Sequence, residues 1–226
     1  MIKYTTLYLD LDNTLLDFLA AEKEAIALLL RLHNIPFDDE VIKLYSRINQ
    51  DYWERFERGE IQKQEIFAGR FETFLEAVDC SGNPEKMAKD YFGFLSEGCQ
   101  LMEGAVEILE YLKSRNYILC ATTNGVAKTQ YKRIEKSGLD KYFDYVFVSE
   151  TTGKQKPEKE YFDYIVDRID EKDKSKILVV GDSLSSDILG GINAGIDTCW
   201  FNPKGLPAKY DVTFEIKDLQ ELKNIL

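Results

Sequence analysis

Four short polar clusters stand out along the chain. Asp10-Leu11-Asp12-Asn13-Thr14 sets two carboxylates two positions apart, and Thr122-Thr123-Asn124-Gly125 offers hydroxyls and backbone N–H groups. Lys156 precedes Pro157, and Gly181-Asp182-Ser183 is followed by Asp187. Carboxylates gathered in one place do not all stay ionised cheaply unless a cation sits among them. A hard divalent ion with oxygen ligands, Mg²⁺, suits such a set, because it binds through a few carboxylates plus substrate phosphate. Thr123 and the N–H groups around Asn124-Gly125 are neutral donors for phosphate oxygens, and a helix starting there adds its dipole. Lys156 brings a full positive charge to the place where phosphoryl oxygens gather charge. These are the parts that phosphoryl transfer to a carboxylate nucleophile requires.

For the clusters to meet, the chain must bring them to one edge. Each follows or lies near the end of a short apolar run: Tyr4–Leu9, Tyr117–Ala121, Tyr145–Val148, Ile177–Val180 and Thr198–Phe201. The runs are continuous rather than alternating, as expected for strands covered on both faces of a parallel sheet. Helical patterns separate the last four: Val106, Leu109 and Leu112 mark one, and Val126–Lys136, Tyr161–Arg168 and Leu184–Ala194 hold the others. This alternation predicts a doubly wound α/β domain, whose ligands bind beyond the carboxyl ends of the strands.

Residues 17–98 read differently, with helical stripes and no convincing strand. The stripes are Ala25, Leu28, Leu29, Leu32; then Val41, Leu44, Tyr45, Ile48, Tyr52; then Phe67, Phe71, Phe74, Leu75, Val78. Breaks fall at Asn34-Ile35-Pro36, at Gly59 and at Ser81-Gly82-Asn83-Pro84. The expected organisation is an α/β core over 1–16 and 99–226, with a helical domain inserted over 17–98.

Composition narrows the partners. The chain has 226 residues, 29 Lys and Arg against 40 Asp and Glu, and a formal net charge of −11. A nucleic-acid polymer or an anionic membrane surface would need a basic face, so neither is expected. Four cysteines without C-x-x-C spacing argue against a disulfide framework and a zinc site. No signal-peptide layout or long apolar run is seen, and a cytoplasmic protein is expected. The only histidine, His33, is expected to be exposed. The glycines at 190, 191 and 195 fall inside a helical pattern, where close packing is the expected role rather than dinucleotide binding.

Taken together and in order, Asp10-Leu11-Asp12-Asn13-Thr14-Leu15, Thr123-Asn124-Gly125, Lys156-Pro157 and Gly181-Asp182 with Asp187 resemble the haloacid dehalogenase superfamily across essentially the whole chain. The inserted helices resemble its helical cap. The resemblance implies that Asp10 is a nucleophile forming an aspartyl-phosphate. It implies that Asp12 is the general acid for the leaving group and then the base for water. Mg²⁺ would be held by the Asp10 carboxylate, the Asp12 backbone carbonyl and Asp182, with Asp187 in or near that shell. Thr123, Asn124 and Lys156 would bind the phosphate. Dehalogenases of the superfamily lack an aspartate at the Asp12 position, because halide leaves without a proton. Asp12 therefore favours phosphate monoester hydrolysis.

Two further stretches, Tyr52–Ile61 and Gly69–Glu72, look like the cap of house-cleaning pyrimidine 5′-nucleotidases, and Gly190–Trp200 is similar to that branch. The resemblance implies a small phosphorylated metabolite, a nucleoside 5′-monophosphate, as substrate. Phe18 or Trp53 would stack on the base, and Arg55 or Arg58 would reach its carbonyls; packing within the cap is the plainer role for Trp53. Asp-Leu-Asp-Asn-Thr also resembles sugar-phosphate and acylneuraminate phosphatases. Phosphoglycolate hydrolysis and a phosphosugar mutase on the same scaffold stay open as well. A receiver-like phospho-acceptor module shares the acidic cluster, Mg²⁺, hydroxyl and lysine, but it is about half as long and has no cap.

Overall fold

The computed structural model describes residues 3–226. The chain divides into two compact units, one that ends at Asp17 and resumes over Leu101–Leu226, and one over Phe18–Gln100.

In the first unit, six strands form one sheet: β1 (Thr6–Leu9), β2 (Ile118–Thr123), β3 (Tyr145–Val148), β4 (Ile177–Gly181), β5 (Asp197–Phe201) and β6 (Phe214–Ile216). Their order is β3-β2-β1-β4-β5-β6, and every pairing is parallel. Alternate residues feed opposite faces. Leu7, Leu9, Leu119, Ala121, Leu178, Val180, Cys199 and Phe201 pack with α5 (Ala105–Ser114), Ile134 of α6 (Ala127–Ser137) and the C-terminal residues Leu219 and Leu222. On the other face, Tyr8, Cys120, Phe147 and Val179 pack with α8 (Lys159–Val166) and Ala194 of α9 (Leu189–Ala194); α7 (Ser149–Thr152) precedes them. Burial on both faces is why the strands read as unbroken apolar runs. The last helix is α10 (Leu222–Ile225).

Leu184–Ala194, expected as one helix, begins instead as a π-helical turn over Leu184–Ile188 and becomes α-helical only at Leu189. Close packing sets the glycines that follow. A Cβ at Gly190 would lie 2.5 Å from the Phe162 ring, and one at Gly191 would lie 2.4 Å from the Thr198 methyl. Cys80, Cys99, Cys120 and Cys199 are all free thiols, and among the described residues no helix is long and apolar enough to cross a membrane.

The second unit is four helices, α1 (Phe18–Leu32), α2 (Asp39–Glu57), α3 (Lys63–Ala77) and α4 (Pro84–Leu95). Asp38 caps α2 by accepting from the Glu40 and Val41 N–H groups, and Asn83 caps α4 with Pro84 in its first turn. Tyr45, Phe71, Phe74 and Tyr91 form an aromatic centre with ring centroids 5.3–5.7 Å apart. The buried face of α1 matches the stripe expected from spacing only in part, at Ala25 and Leu29. Leu28 and Leu32 are exposed, whereas Glu22, Ile26 and Leu30 are buried. The Glu22 carboxylate turns the helix inward, accepting from Ser46 at 2.6 Å and from the Asn49 amide at 2.7 Å. Arg70 donates to Asn49 at 2.6 Å and lies over the rings of Phe71, Tyr91 and Phe92. His33 is not simply exposed; its Nε2 is 3.0 Å from an Asp90 carboxylate oxygen.

Candidate active site

Asp10 is the first residue past β1, and its backbone N–H still donates to Val180 of β4 at 2.9 Å. The chain then turns sharply. Asn13 sits at φ 61°, a left-handed conformation that asparagine tolerates better than most residues. The turn sends Thr14 back beneath Asp10, where the fully buried hydroxyl donates to Asp10 Oδ2 at 3.1 Å and accepts from the Asp182 N–H at 3.1 Å. Thr14 thereby ties the loop after β1 to the loop after β4, a role its place in the motif does not announce.

Lys156 is the hub. Its side chain is 2% exposed, and Nζ donates to Asp10 Oδ1 at 2.6 Å, to Asp187 Oδ1 at 2.6 Å and to the Thr122 carbonyl at 3.0 Å. All three ammonium protons are spent. Burial would depress such an amine, but Asp10 and then Asp187 outweigh it, so the ammonium is held above the ordinary lysine value. Asn124 holds the lysine's main chain from both sides: its Oδ1 accepts from Lys156 N–H at 2.9 Å and its Nδ2 donates to Lys156 C=O at 2.8 Å. The Asn124 carboxamide therefore faces Lys156.

Asp182 follows Gly181 at the end of β4, and the Trp200 indole N–H fixes its carbonyl at 2.8 Å. Asp187 lies in the π-helical turn, where Oδ2 accepts from the Ser183 N–H at 3.2 Å. Gly181 makes room for it, since a Cβ there would lie 2.2 Å from Asp187 Oδ2. Carboxylate oxygens of Asp10, Asp182 and Asp187 all lie within 4.8 Å of one another. Burial, then the charge of Asp187, pushes the Asp10 carboxyl up to about 7 against the pull of Lys156. Burial, then Asp10 and Asp187, raises Asp182 well above the ordinary carboxylate range. One lysine does not balance three clustered carboxylates, and all the donors are hard oxygens. The set fits a magnesium-type ion.

Asp12 is placed apart from that cluster. Its side chain is 28% exposed, and it meets two polar residues of α6. Gln130 Nε2 donates to Asp12 Oδ2 at 2.8 Å, and Arg133 Nη1 pairs with Asp12 Oδ1. Thr123, the last residue of β2, accepts from Gly125 N–H at 3.0 Å and from Gln130 Nε2 at 2.9 Å. The sequence alone does not single out Gln130 and Arg133. A signal is nevertheless present: they lie three apart on α6, on the buried face that Thr129, Gln130, Arg133 and Ile134 make up, a face that is mostly polar.

The remaining residues expected at the site lie in the helical unit. Half-buried Phe18 packs against the helical core. Trp53 meets Phe56 edge-on at 5.8 Å. Arg55 lies over Tyr52 and within 4.0 Å of Asp51 and 3.8 Å of Glu60, and Arg58 pairs with Glu60 at 2.5 Å and Glu54 at 3.7 Å.

Residues 4–195 match the family model of haloacid dehalogenase-like hydrolases. The chain is 42% identical over 228 residues to the HAD-hydrolase YfnB of Bacillus subtilis (strain 168), covering 100% of this chain and 97% of that protein. It is 37% identical over 230 residues to pyrimidine 5′-nucleotidase PynA of Streptococcus pneumoniae (strain ATCC BAA-255 / R6), covering 99% and 97%. With pyrimidine 5′-nucleotidase YjjG of Escherichia coli (strain K12) the identity is 33% over 230 residues, covering 100% and 99%. A crystal structure of YfnB bound to magnesium matches this fold with a TM-score of 0.94, covering 99% of this chain and 98% of that one.

Proposed function

We propose that this chain, which belongs to the haloacid dehalogenase-like hydrolase family, is a Mg²⁺-dependent phosphatase that works through an aspartyl-phosphate on Asp10 and acts on nucleoside 5′-monophosphates. The observation that carries the reading is the buried Asp10–Lys156–Asp187 contact with Asp182 beside it, at the carboxyl edge of a parallel sheet. Membership of the family removes the receiver-like reading.

Asp10 and Asp182 would hold the ion together with the Asp12 backbone carbonyl, with Asp187 next to them. When bound, Mg²⁺ supplies positive charge to the phosphoryl oxygens and to the carboxylate cluster. An Asp10 carboxylate oxygen attacks phosphorus; the new O–P bond forms as the bond from phosphorus to the ester oxygen breaks. The Asp12 carboxyl gives its proton to that leaving oxygen. In the second half, Asp12 takes a proton from water as the water oxygen attacks phosphorus, and the bond from Asp10 to phosphorus breaks. Lys156 holds Asp10 in place and neutralises charge beside the phosphoryl oxygens. Thr123 presents its hydroxyl to the phosphate, and Asn124 serves by fixing the Lys156 main chain.

The helical unit over Phe18–Gln100 is proposed to be the cap that selects the leaving group, with Phe18, Trp53, Arg55 and Arg58 as its candidate contacts. Similarity to PynA and YjjG supports a pyrimidine nucleotide. Free thiols among the described residues suit the reducing cytoplasm, where such nucleotides are found. A panel of nucleoside monophosphates, sugar phosphates and phosphoglycolate tests the reading. The expected result is the highest kcat/KM on dUMP or dTMP; flat rates, or a preference for sugar phosphates, would remove the nucleotide assignment. Isomerised sugar phosphate in place of free phosphate would point to a mutase.

A further inference from the structure

Two buried side chains of α6 reach the carboxylate proposed to handle the proton. Gln130 is 1% exposed and Arg133 is fully buried. Arg133 Nη1 pairs with Asp12 Oδ1 and also donates to Gln130 Oε1 at 3.1 Å. Gln130 Nε2 has two protons and spends both, one on Asp12 Oδ2 at 2.8 Å and one on Thr123 Oγ1 at 2.9 Å. The amide orientation is settled by this chain of contacts, because its oxygen faces the guanidinium and its nitrogen faces a carboxylate.

The arrangement has two consequences. An ionised carboxylate offers about four lone-pair sites. Gln130 and Arg133 take one on each oxygen of Asp12, from the α6 side, and each oxygen keeps another to carry a proton. A hydroxyl has one donor and two acceptor sites. Thr123 Oγ1 accepts from Gln130 and from the Gly125 N–H, so both lone pairs are filled and only its own proton is left, as a donor. Gln130 thus sets Asp12 and Thr123 from a single amide. The turn is shaped around that amide: a Cβ on Gly125 would lie 2.7 Å from Gln130 Cδ.

We infer that Gln130 and Arg133 are positioning residues of the reaction, holding the Asp12 side chain where its protonated carboxyl can give the proton to the leaving oxygen and orienting the Thr123 hydroxyl toward the phosphate. This rests on the phosphatase reading and on the acid–base role proposed for Asp12. Displacing a catalytic group by an ångström costs about 10²-fold, within the range that general acid catalysis contributes. The loss depends on the leaving group. An alkoxide needs the proton as it departs, whereas a nitrophenolate leaves without it.

The test is first-turnover release of the leaving group, followed by rapid quench, for wild type, Arg133→Met, Arg133→Lys, Gln130→Leu and Gly125→Ala. Two esters are compared: para-nitrophenyl phosphate and the alkyl phosphate that wild type turns over fastest. Arg133→Met and Gln130→Leu are expected to slow release from the alkyl ester about 100-fold and from the aryl ester about threefold or less. Arg133→Lys is expected to recover part of the alkyl rate. Gln130→Leu is further expected to weaken inhibition by inorganic phosphate, through Thr123. Gly125→Ala displaces the amide without deleting it and is expected to show the same alkyl-selective loss even if a buried substitution fails to fold. Equal losses on both esters, or no loss on either, would overturn the inference while leaving the phosphatase reading in place. A wild type that releases neither leaving group removes the phosphatase reading and the inference with it.

Discussion

Replacing Lys156 by methionine isolates what the hub contributes. The side chain keeps its length and loses its charge, so Asp10 and Asp187 are left facing one another across a site where the lysine is 2% exposed. Removing one partner of a buried ion pair costs about 3–5 kcal/mol, because it leaves uncompensated buried charge. For a chain of this size each kcal/mol corresponds to about 2–4 °C, so the core unit should melt about 6–20 °C lower without metal. Lys113–Asp144 supplies the control: its side chains are 33% and 38% exposed, and such pairs contribute about 0–1 kcal/mol. The assay is urea unfolding in chelator, followed by the fluorescence of Trp200, which is buried in β5. A Trp53→Phe background removes the only other tryptophan. The pH dependence has a definite sign. Burial and Asp187 already lift Asp10 to about 7, and loss of Lys156 lifts it further. A carboxyl raised in the folded state is penalised where the unfolded carboxylate is ionised, and the penalty fades as pH falls toward the unfolded value. Lys156→Met should therefore be most destabilised near pH ~8 and least near pH ~5. Stability within about 1 kcal/mol of wild type at the higher pH, or a loss that grows on acidification, would rule out Lys156 as the counter-charge of this cluster.

Other outcomes follow from the same geometry. Asp12→Asn should lower kcat on alkyl esters by about 10²–10⁴-fold while the protein stays folded, and steady-state kinetics with circular dichroism checks both halves. Mg²⁺ at about 100 times its Kd should stabilise the wild type by about 2.7 kcal/mol. Because Asp10 and Asp182 bind protons more readily than ordinary carboxylates, that gain should shrink as pH falls below about 7, as thermal melts with and without the ion would show. Gly181→Ala drives a methyl to within 2.2 Å of Asp187 Oδ2. It should cost about 1–3 kcal/mol and weaken the Mg²⁺-dependent gain, both measurable in the same melts.

The parts of the fold that are legible in sequence are those where one force dominates. Strands largely buried on both faces are mostly apolar, so β1 to β5 can be read directly. The edge strand β6 cannot, because Phe214-Glu215-Ile216 is three residues long with Glu215 exposed. Helix α4 does not stand out although Asn83-Pro84 is a plain start signal, since Met87, Ala88, Tyr91 and Leu95 make a sparser stripe than the aromatic one before it. In α1 the spacing holds at Ala25 and Leu29 but misleads at Leu28 and Leu32, because the buried carboxylate of Glu22 competes for the inward face. At the site, the strand-end residues are legible because an open parallel sheet leaves only one place for them. Gln130 and Arg133 are not, because a polar residue on a helix reads as solvated until the fold sets a carboxylate opposite it. From sequence the backbone N–H groups around Asn124 read as donors for phosphate, and only the structure shows that the Asn124 carboxamide is occupied by the Lys156 main chain.

If phosphoryl groups pass through Asp10, the intermediate can be trapped there. During turnover of para-nitrophenyl phosphate with Mg²⁺, acid quench followed by borohydride reduction converts an acyl phosphate into an alcohol, and peptide mass spectrometry locates the change. Asp10 should be converted to homoserine, with no conversion in Asp10→Asn and none without substrate. Steady turnover with no reduced residue, or with the change at Asp12 or Asp182 instead, would contradict a nucleophilic Asp10.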